Sequence, residues 1–200
     1  MHYCQACPSP VLMEPAQPEA VCPACGRREP VRRRPLFVVT GASGSGKTTV
    51  FPHLAGLVTD QLVFDVDWLI DPIGRIRAPQ PMDWINFRAA WLAVAHGVAQ
   101  AGRSTVLLGP FINEHLADLP ERRWIGPIHF GLLDCEDELR RTRLLGRPAW
   151  RERKLDEQLE FATQLRRLIP TRFDTTHSDP SATAAEIAAW VSHLDSPAAP

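Results

Sequence analysis

The chain has no apolar stretch approaching the roughly 18–20 residues of a membrane-spanning helix. Its N-terminal MHYCQACPSP lacks the basic and then apolar regions of a secretory leader. No charge sign dominates either: 22 basic residues stand against 23 acidic ones, so no overall field draws the protein toward nucleic acid or a membrane. Nineteen prolines are scattered without forming a repeat. These absences argue against a membrane protein, a secreted precursor and a charged disordered tail, and set the expectation of a cytoplasmic protein. Lysine is nearly missing, with Lys47 and Lys154 the only two among the basic residues. Against that background, 200 residues at 44% hydrophobic content suffice for one sizeable core plus a small appendage.

Four of the five cysteines fall in the first 25 residues, as Cys4-Gln-Ala-Cys7 and Cys22-Pro-Ala-Cys25, with 14 residues between the pairs. Two tight turns that each present two thiolates complete a tetrahedral sulfur shell, the pattern of a zinc ribbon. A segment of this size buries too little surface to fold alone, so Zn²⁺ ligation would supply its folding energy. Disulfides need an oxidising compartment. A redox Cys-x-x-Cys would open a helix, which Pro8, Pro10, Pro15 and Pro18 deny it. Cys4, Cys7, Cys22 and Cys25 are therefore the expected zinc ligands, in a ribbon over residues 1–29, and Cys135 is expected in the core. The ribbon is open to two uses: gripping a nucleic acid or protein partner, or folding against the main domain. Arg27, Arg28, Arg32, Arg33 and Arg34 follow, around a 30–35 linker. They read as a solvated linker or, more sharply, as a phosphate-contacting strip.

The apolar run Leu36–Thr40 leads directly into Gly41-Ala-Ser-Gly-Ser-Gly46-Lys47-Thr48-Thr49, a G-x-x-x-x-G-K-[ST] loop between strand and helix. Glycines let consecutive N–H groups curl round a β-phosphate, and the helix N-terminus behind them adds positive potential. The candidate phosphate-binding residues are thus Gly41, Ser43, Gly44, Ser45, Gly46, Lys47, Thr48 and Thr49, with Thr48 placed to offer its hydroxyl to Mg²⁺. Arginine's planar fork is the wrong shape for the Lys47 position, which accounts for a lysine in a lysine-poor chain. Pro52 falls inside the following helix and is expected to perturb it.

Downstream, strands are expected near 36–40, 62–66, 104–108, 128–134 and 172–175, and helices near 46–58, 83–101, 136–146, 153–168 and 182–194. The alternation predicts an α/β domain over residues 36–194, three layers deep around a five-stranded parallel sheet, with 195–200 as a tail. The second strand ends in Asp65-Val-Asp67, at the sheet edge where ligands of open α/β folds bind. Asp65 is a candidate for the Mg²⁺ shell and Asp67 for an acceptor hydroxyl, unless one of them only caps the next turn. Arg140, Arg141, Arg143, Arg147, Arg151 and Arg153 cluster after the fourth strand. Most of them are expected on the surface, paired with neighbouring carboxylates; Arg143 and Arg147 share a helix face.

A glycine-lysine loop, a strand ending in Asp-x-Asp and arginines after the fourth strand together resemble the small P-loop kinases. These include the shikimate, gluconate and nucleotide kinases, and relatives often labelled AAA-type ATP-binding proteins. The resemblance covers residues 36 to about 194. It implies strand order 2-3-1-4-5 and a lid between the fourth and fifth strands. It also implies a phosphotransferase that moves the γ-phosphoryl group of ATP to a hydroxyl of a small molecule. Lys47, Asp67, Arg143 and Arg147 would carry the chemistry, Asp65 and Thr48 would serve Mg²⁺, and Thr175 and Thr176 would lie near the adenine. Gly109-Pro-Phe-Ile-Asn-Glu-His115 replaces the glycine run of shikimate kinases, which leaves the acceptor unnamed. Asn113, Glu114 and His115 are open between an acceptor pocket and a surface helix. Arg75, Arg77 and Arg88 would favour a phosphorylated or carboxylated acceptor if they faced the cleft. Two other readings remain: a kinase of nucleic-acid 5′ ends that uses the ribbon, and an ATP-gated module that binds a partner.

Overall fold

The computed structural model describes residues 2–70, 82–148 and 154–195. Its N-terminal part is an antiparallel sheet of β1 (Glu14–Ala16), β2 (Glu19–Val21) and β3 (Arg28–Pro30). The remainder alternates: β4 (Leu36–Thr40), α1 (Lys47–Leu57), β5 (Gln61–Asp65), α2 (Trp84–Gln100), β6 (Ser104–Leu108), β7 (Ile128–Asp134), α3 (Asp137–Leu145), α4 (Leu155–Leu168), β8 (Arg172–Asp174) and α5 (Pro180–Asp195). The five strands β4 to β8 form one parallel sheet in the order β5-β6-β4-β7-β8. That is the expected 2-3-1-4-5, with element boundaries within two residues of the sequence reading.

All of Leu36–Thr40 is buried, because the central strand of a parallel sheet is covered on both faces. Alternate side chains serve opposite layers. Phe37 and Val39 pack with Val50 and Leu54 of α1 and Ile187 and Val191 of α5. Leu36 and Val38 pack with Phe87, Trp91 and Leu92 of α2. Pro52 is absorbed within α1, which continues to Leu57. No helix among the described residues is long and apolar enough to cross a membrane.

The ribbon and its linker are seated on the parallel-sheet domain. Trp124 closes a 3-10 turn (Pro120–Trp124) and is buried among Cys4, Met13, Ala20 and Cys22. His2 meets His96 of α2 edge-on, with ring centroids 4.8 Å apart, and burial pushes His96 down to about 4. Arg32 and Gln100 exchange hydrogen bonds, and Arg33 donates to the Arg123 carbonyl. Arg27 pairs with Glu29 and Arg28 with Glu19. The linker is therefore anchored although it stays on the surface, and all five arginines have partners inside the protein.

Asp195 also departs from expectation. It ends α5, buried, and its carboxylate accepts from Arg34 at 3.0 Å, Ser104 Oγ at 2.5 Å and Gln61 Nε2 at 2.8 Å. One side chain thereby ties the last helix to the linker and to the first residues of β5 and β6. Periodicity marks a helix end but not a three-way polar anchor.

Candidate active site

The site is built on the turn from β4 into α1. Gly44 and Gly46 hold φ of +83° and +97°, the left-handed region that glycine enters without strain. At Gly41 a Cβ would stand 2.5 Å from the Leu133 carbonyl, so this position has no room for a side chain. Lys47, the first residue of α1, folds over the loop and donates to the Gly41 carbonyl at 2.5 Å and the Ala42 carbonyl at 3.2 Å. Burial pushes its ammonium down to about 8, and Asp67 is the nearest influence opposing that shift.

In front of the loop lies a cleft of about 890 Å³. Its walls include Gly41, Ser43, Gly44, Ser45, Gly46, Lys47, Thr48, Thr49, Asp67, Pro110, Arg143, Arg147 and residues Thr175 to Pro180. Asp65 stands behind: its Oδ1 accepts from the Asp67 amide at 3.0 Å and caps the 3-10 turn Val66–Leu69 that carries Asp67. Thr175 and Thr176 reach the cleft wall, but their hydroxyls are used internally. Thr175 donates to the Ser45 carbonyl at 2.9 Å, and Thr176 accepts from the Glu136 amide at 2.9 Å. Arg143 donates to the Gly44 carbonyl at 3.1 Å and the Thr175 carbonyl at 2.8 Å. Of the loop after β6, only Pro110 lines this cleft. Asn113 and Glu114 form part of a separate hollow of about 350 Å³. Arg75, Arg77, Arg151 and Arg153 lie outside the described residues.

The expectation of a solvated arginine cluster fails at Arg140, which is fully buried, paired with Asp134 at 2.5 Å and bonded to the Ser43 carbonyl at 3.1 Å. Gln158 of α4 accepts from the Ser43 amide at 2.8 Å, a contact that no sequence pattern announced. Cys135 is buried as expected, with its thiol against the Gly44 carbonyl at 3.6 Å.

Arg88 is informative for a different reason. One helical turn beyond it, the Trp91 indole donates to the Val66 carbonyl beside Asp67. This places Arg88 toward the C-terminal ends of the strands. There its charge reaches His115, in the loop that leaves β6. Its Nε is buried without a hydrogen-bond partner among the described residues, and burial lowers its guanidinium. A buried donor without an acceptor is costly.

The ribbon cysteines converge too. The four Sγ atoms lie within 4.8 Å of one another, with Cys4–Cys25 and Cys7–Cys22 each at 3.6 Å. Tetrahedral zinc with bonds of about 2.3 Å asks for sulfur separations of about 3.8 Å. A disulfide asks for about 2.05 Å. The donor set fits a closed structural zinc site.

No protein-family model matches the chain, and no curated protein matches its sequence. Solved structures do match. A sugar kinase from a Janibacter species superposes with a TM-score of 0.57 at 22% identity, over 80% of this chain and 95% of that one. The shikimate kinase of Acinetobacter baumannii, in complex with shikimate, gives 0.54 at 18% identity, over 82% and 96%. The fold is that of the small P-loop kinases. A tunicamycin resistance protein of Deinococcus radiodurans shares this P-loop kinase fold, with a TM-score of 0.61 at 18% identity, over 80% of this chain and 96% of its own.

Proposed function

We propose that the protein transfers the γ-phosphoryl group of ATP to a hydroxyl of a small acceptor that carries a carboxylate or phosphate. The observation that carries this reading is Lys47 and Asp67 on the walls of one cleft, a phosphate-holding cation and a hydroxyl-orienting carboxylate. Phosphoryl transfer needs little covalent help from a protein, so positioning and charge neutralisation dominate. The loop amides and Lys47 hold the β- and γ-phosphates, Arg143 and Arg147 neutralise charge on the transferring group, and Asp67 accepts the acceptor's hydrogen bond. Thr48 and the carboxylate of Asp65 are hard oxygen donors suited to Mg²⁺ or to its bound waters. When bound, the ion neutralises charge between the β- and γ-phosphates. Arg88 is not among the described residues lining the cleft, and it motivates an anionic acceptor only through its charge beside His115, in the loop that leaves β6.

A small acceptor is favoured over a nucleic-acid end by where the ribbon docks. It meets Gln100 and Trp124, which precede β6 and β7, whereas the phosphate loop follows the far end of β4. A five-residue strand spans about 16 Å, and the linker arginines are already partnered.

The test is ADP release from zinc-loaded protein with Mg-ATP, alone and with neutral polyols, sugar acids, sugar phosphates, nucleosides and 5′-hydroxyl oligonucleotides. Stimulation by an anionic small molecule is expected, and Arg88→Met should raise that acceptor's KM about tenfold with the KM for ATP nearly unchanged. Stimulation only by oligonucleotide ends, or by nothing in an adequate panel, would overturn the reading.

Lys47 gives a pH prediction. A folded value near 8 lies below the unfolded value of about 10.4. The unfolded chain therefore binds more protons between those values, and the nucleotide-free protein gains stability from this group as pH rises through the window. A polyphosphate reverses the shift, so binding Mg-ADP at pH 8 should take up about half a proton. Calorimetry in buffers of differing ionisation enthalpy measures this uptake, and Lys47→Met should abolish it.

A further inference from the structure

Three consecutive carbonyls of the phosphate loop are held by side chains from outside the loop. Arg140 takes that of Ser43 at 3.1 Å, Arg143 that of Gly44 at 3.1 Å, and the Thr175 hydroxyl that of Ser45 at 2.9 Å. In a trans peptide the C=O and the following N–H point in opposite directions. A Ser43 carbonyl fixed on the buried side therefore turns the Gly44 N–H to the cleft, and the Ser45 carbonyl does the same for Gly46. The loop does not determine this by itself, because glycine tolerates either sign of φ and the Ser43–Gly44 peptide can turn over.

We propose that Arg140 is a positioning residue for the nucleotide phosphates, which acts by locking the Ser43–Gly44 peptide with its N–H facing the cleft. The inference rests on the reading of the cleft as a nucleotide site. Arg140 is itself held rigidly. Asp134 binds it at 2.5 Å, and Arg166 of α4 binds Asp134 at 2.6 Å and Asp137 at 2.7 Å. This is an expensive way to fill space. The Arg140 Nε is buried without a hydrogen-bond partner among the described residues, at 4.0 Å from Asp137. Buried ion pairs are often no more stabilising than apolar side chains of similar volume. Packing alone thus does not account for an arginine here, whereas a directional bond to the loop does. The charges in the network balance, two aspartates against Arg140 and Arg166, so its effect is geometric and adds little positive potential.

A positioning role separates from a structural one by ligand. Affinities for Mg-ADP and for AMP would be measured by calorimetry on the zinc-loaded wild type, Arg140→Met, Arg140→Lys and Arg166→Met, each with its melting temperature. Arg140→Met should weaken Mg-ADP about tenfold, the size of one charge-assisted hydrogen bond, and AMP less than about twofold. Arg140→Lys keeps the charge beside Asp134 but cannot also hold Ser43, so it should behave the same way and answers the question if the methionine variant does not fold. Arg166→Met breaks the network without touching the loop; it should lower the melting temperature and leave Mg-ADP affinity within about twofold. Unchanged Mg-ADP affinity in folded Arg140 variants would overturn the proposal, as would an equal loss in Arg166→Met. Failure of the wild type to bind Mg-ADP would instead overturn the reading of the cleft.

Discussion

Asp67→Asn is expected to lower kcat by about 10²–10⁴-fold, the range for loss of a positioned general base, while Mg-ADP affinity at pH 7 changes less than about threefold. Asparagine keeps the shape of the side chain and one acceptor oxygen but can neither take a proton nor hold an acceptor hydroxyl with a full negative charge. The backbone placement survives, because it depends on the Asp65 carboxylate that accepts from the residue-67 amide at 3.0 Å. Nucleotide binding also survives at neutral pH. Asp67 does oppose the lowering of Lys47, so the variant's Lys47 should deprotonate at lower pH and its Mg-ADP affinity should fall off earlier as pH rises. Asp65→Asn provides the contrast. It preserves the cap and should reduce kcat far less, and it should raise the Mg²⁺ concentration needed for half-maximal rate if Asp65 serves the ion's waters. A kcat for Asp67→Asn within tenfold of wild type would remove Asp67 from the chemistry.

The strand and helix positions and the loop were legible because each rests on a repeating or local signal, whereas the sheet order came only from the resemblance to the small P-loop kinases. Leu36–Thr40 reads as a fully apolar strand, the glycines follow at fixed spacing, and Asp83 marks the start of α2 by accepting from the Asn86 amide. Polar contacts between distant segments were not legible. Arg140 is one of six arginines in fourteen residues, and its five neighbours are drawn from the same composition. What separates it is the identity of the groups that tertiary structure brings to it, Asp134 and the Ser43 carbonyl. Gln158 and Asp195 are similar cases, with partners 115 and up to 161 residues away in sequence. The linker is a further case. Arg and Pro in alternation suggest a solvated tether, yet Gln100, Ser104 and the Arg123 carbonyl each claim one arginine. The sequence left one of Asp65 and Asp67 open to capping the next turn, and only the three-dimensional turn shows that the cap is Asp65.

Removal of the ribbon's metal is expected to destabilise the whole protein while sparing nucleotide binding. The protein as purified should carry one zinc per chain, released by a strong chelator or a thiol-modifying reagent. Cys22→Ser should prevent its uptake, since Cys22 is one of the four converging sulfurs and is buried in the cluster with Met13 and Ala20. Residues 2–30 then lose the tie that folds them, and Trp124 loses the surface that covers it. Trp124 is only 1% exposed, and uncovering a tryptophan of this kind costs roughly 2–4 kcal/mol. In a protein of this size that corresponds to a fall in melting temperature of about 4–16 °C, with a red shift in tryptophan emission from Trp124. The cleft should be nearly indifferent at temperatures below the transition, because the ribbon meets the sheet at the ends of the strands opposite the phosphate loop. Mg-ADP affinity within about threefold of wild type is therefore expected for the metal-free protein. A metal-free protein with unchanged emission and melting temperature would show that the cysteines are not what holds the ribbon together. A parallel collapse of Mg-ADP affinity well below the melting transition would show that the ribbon acts on the cleft, with α2, which carries Gln100 beside the linker, as the element between them.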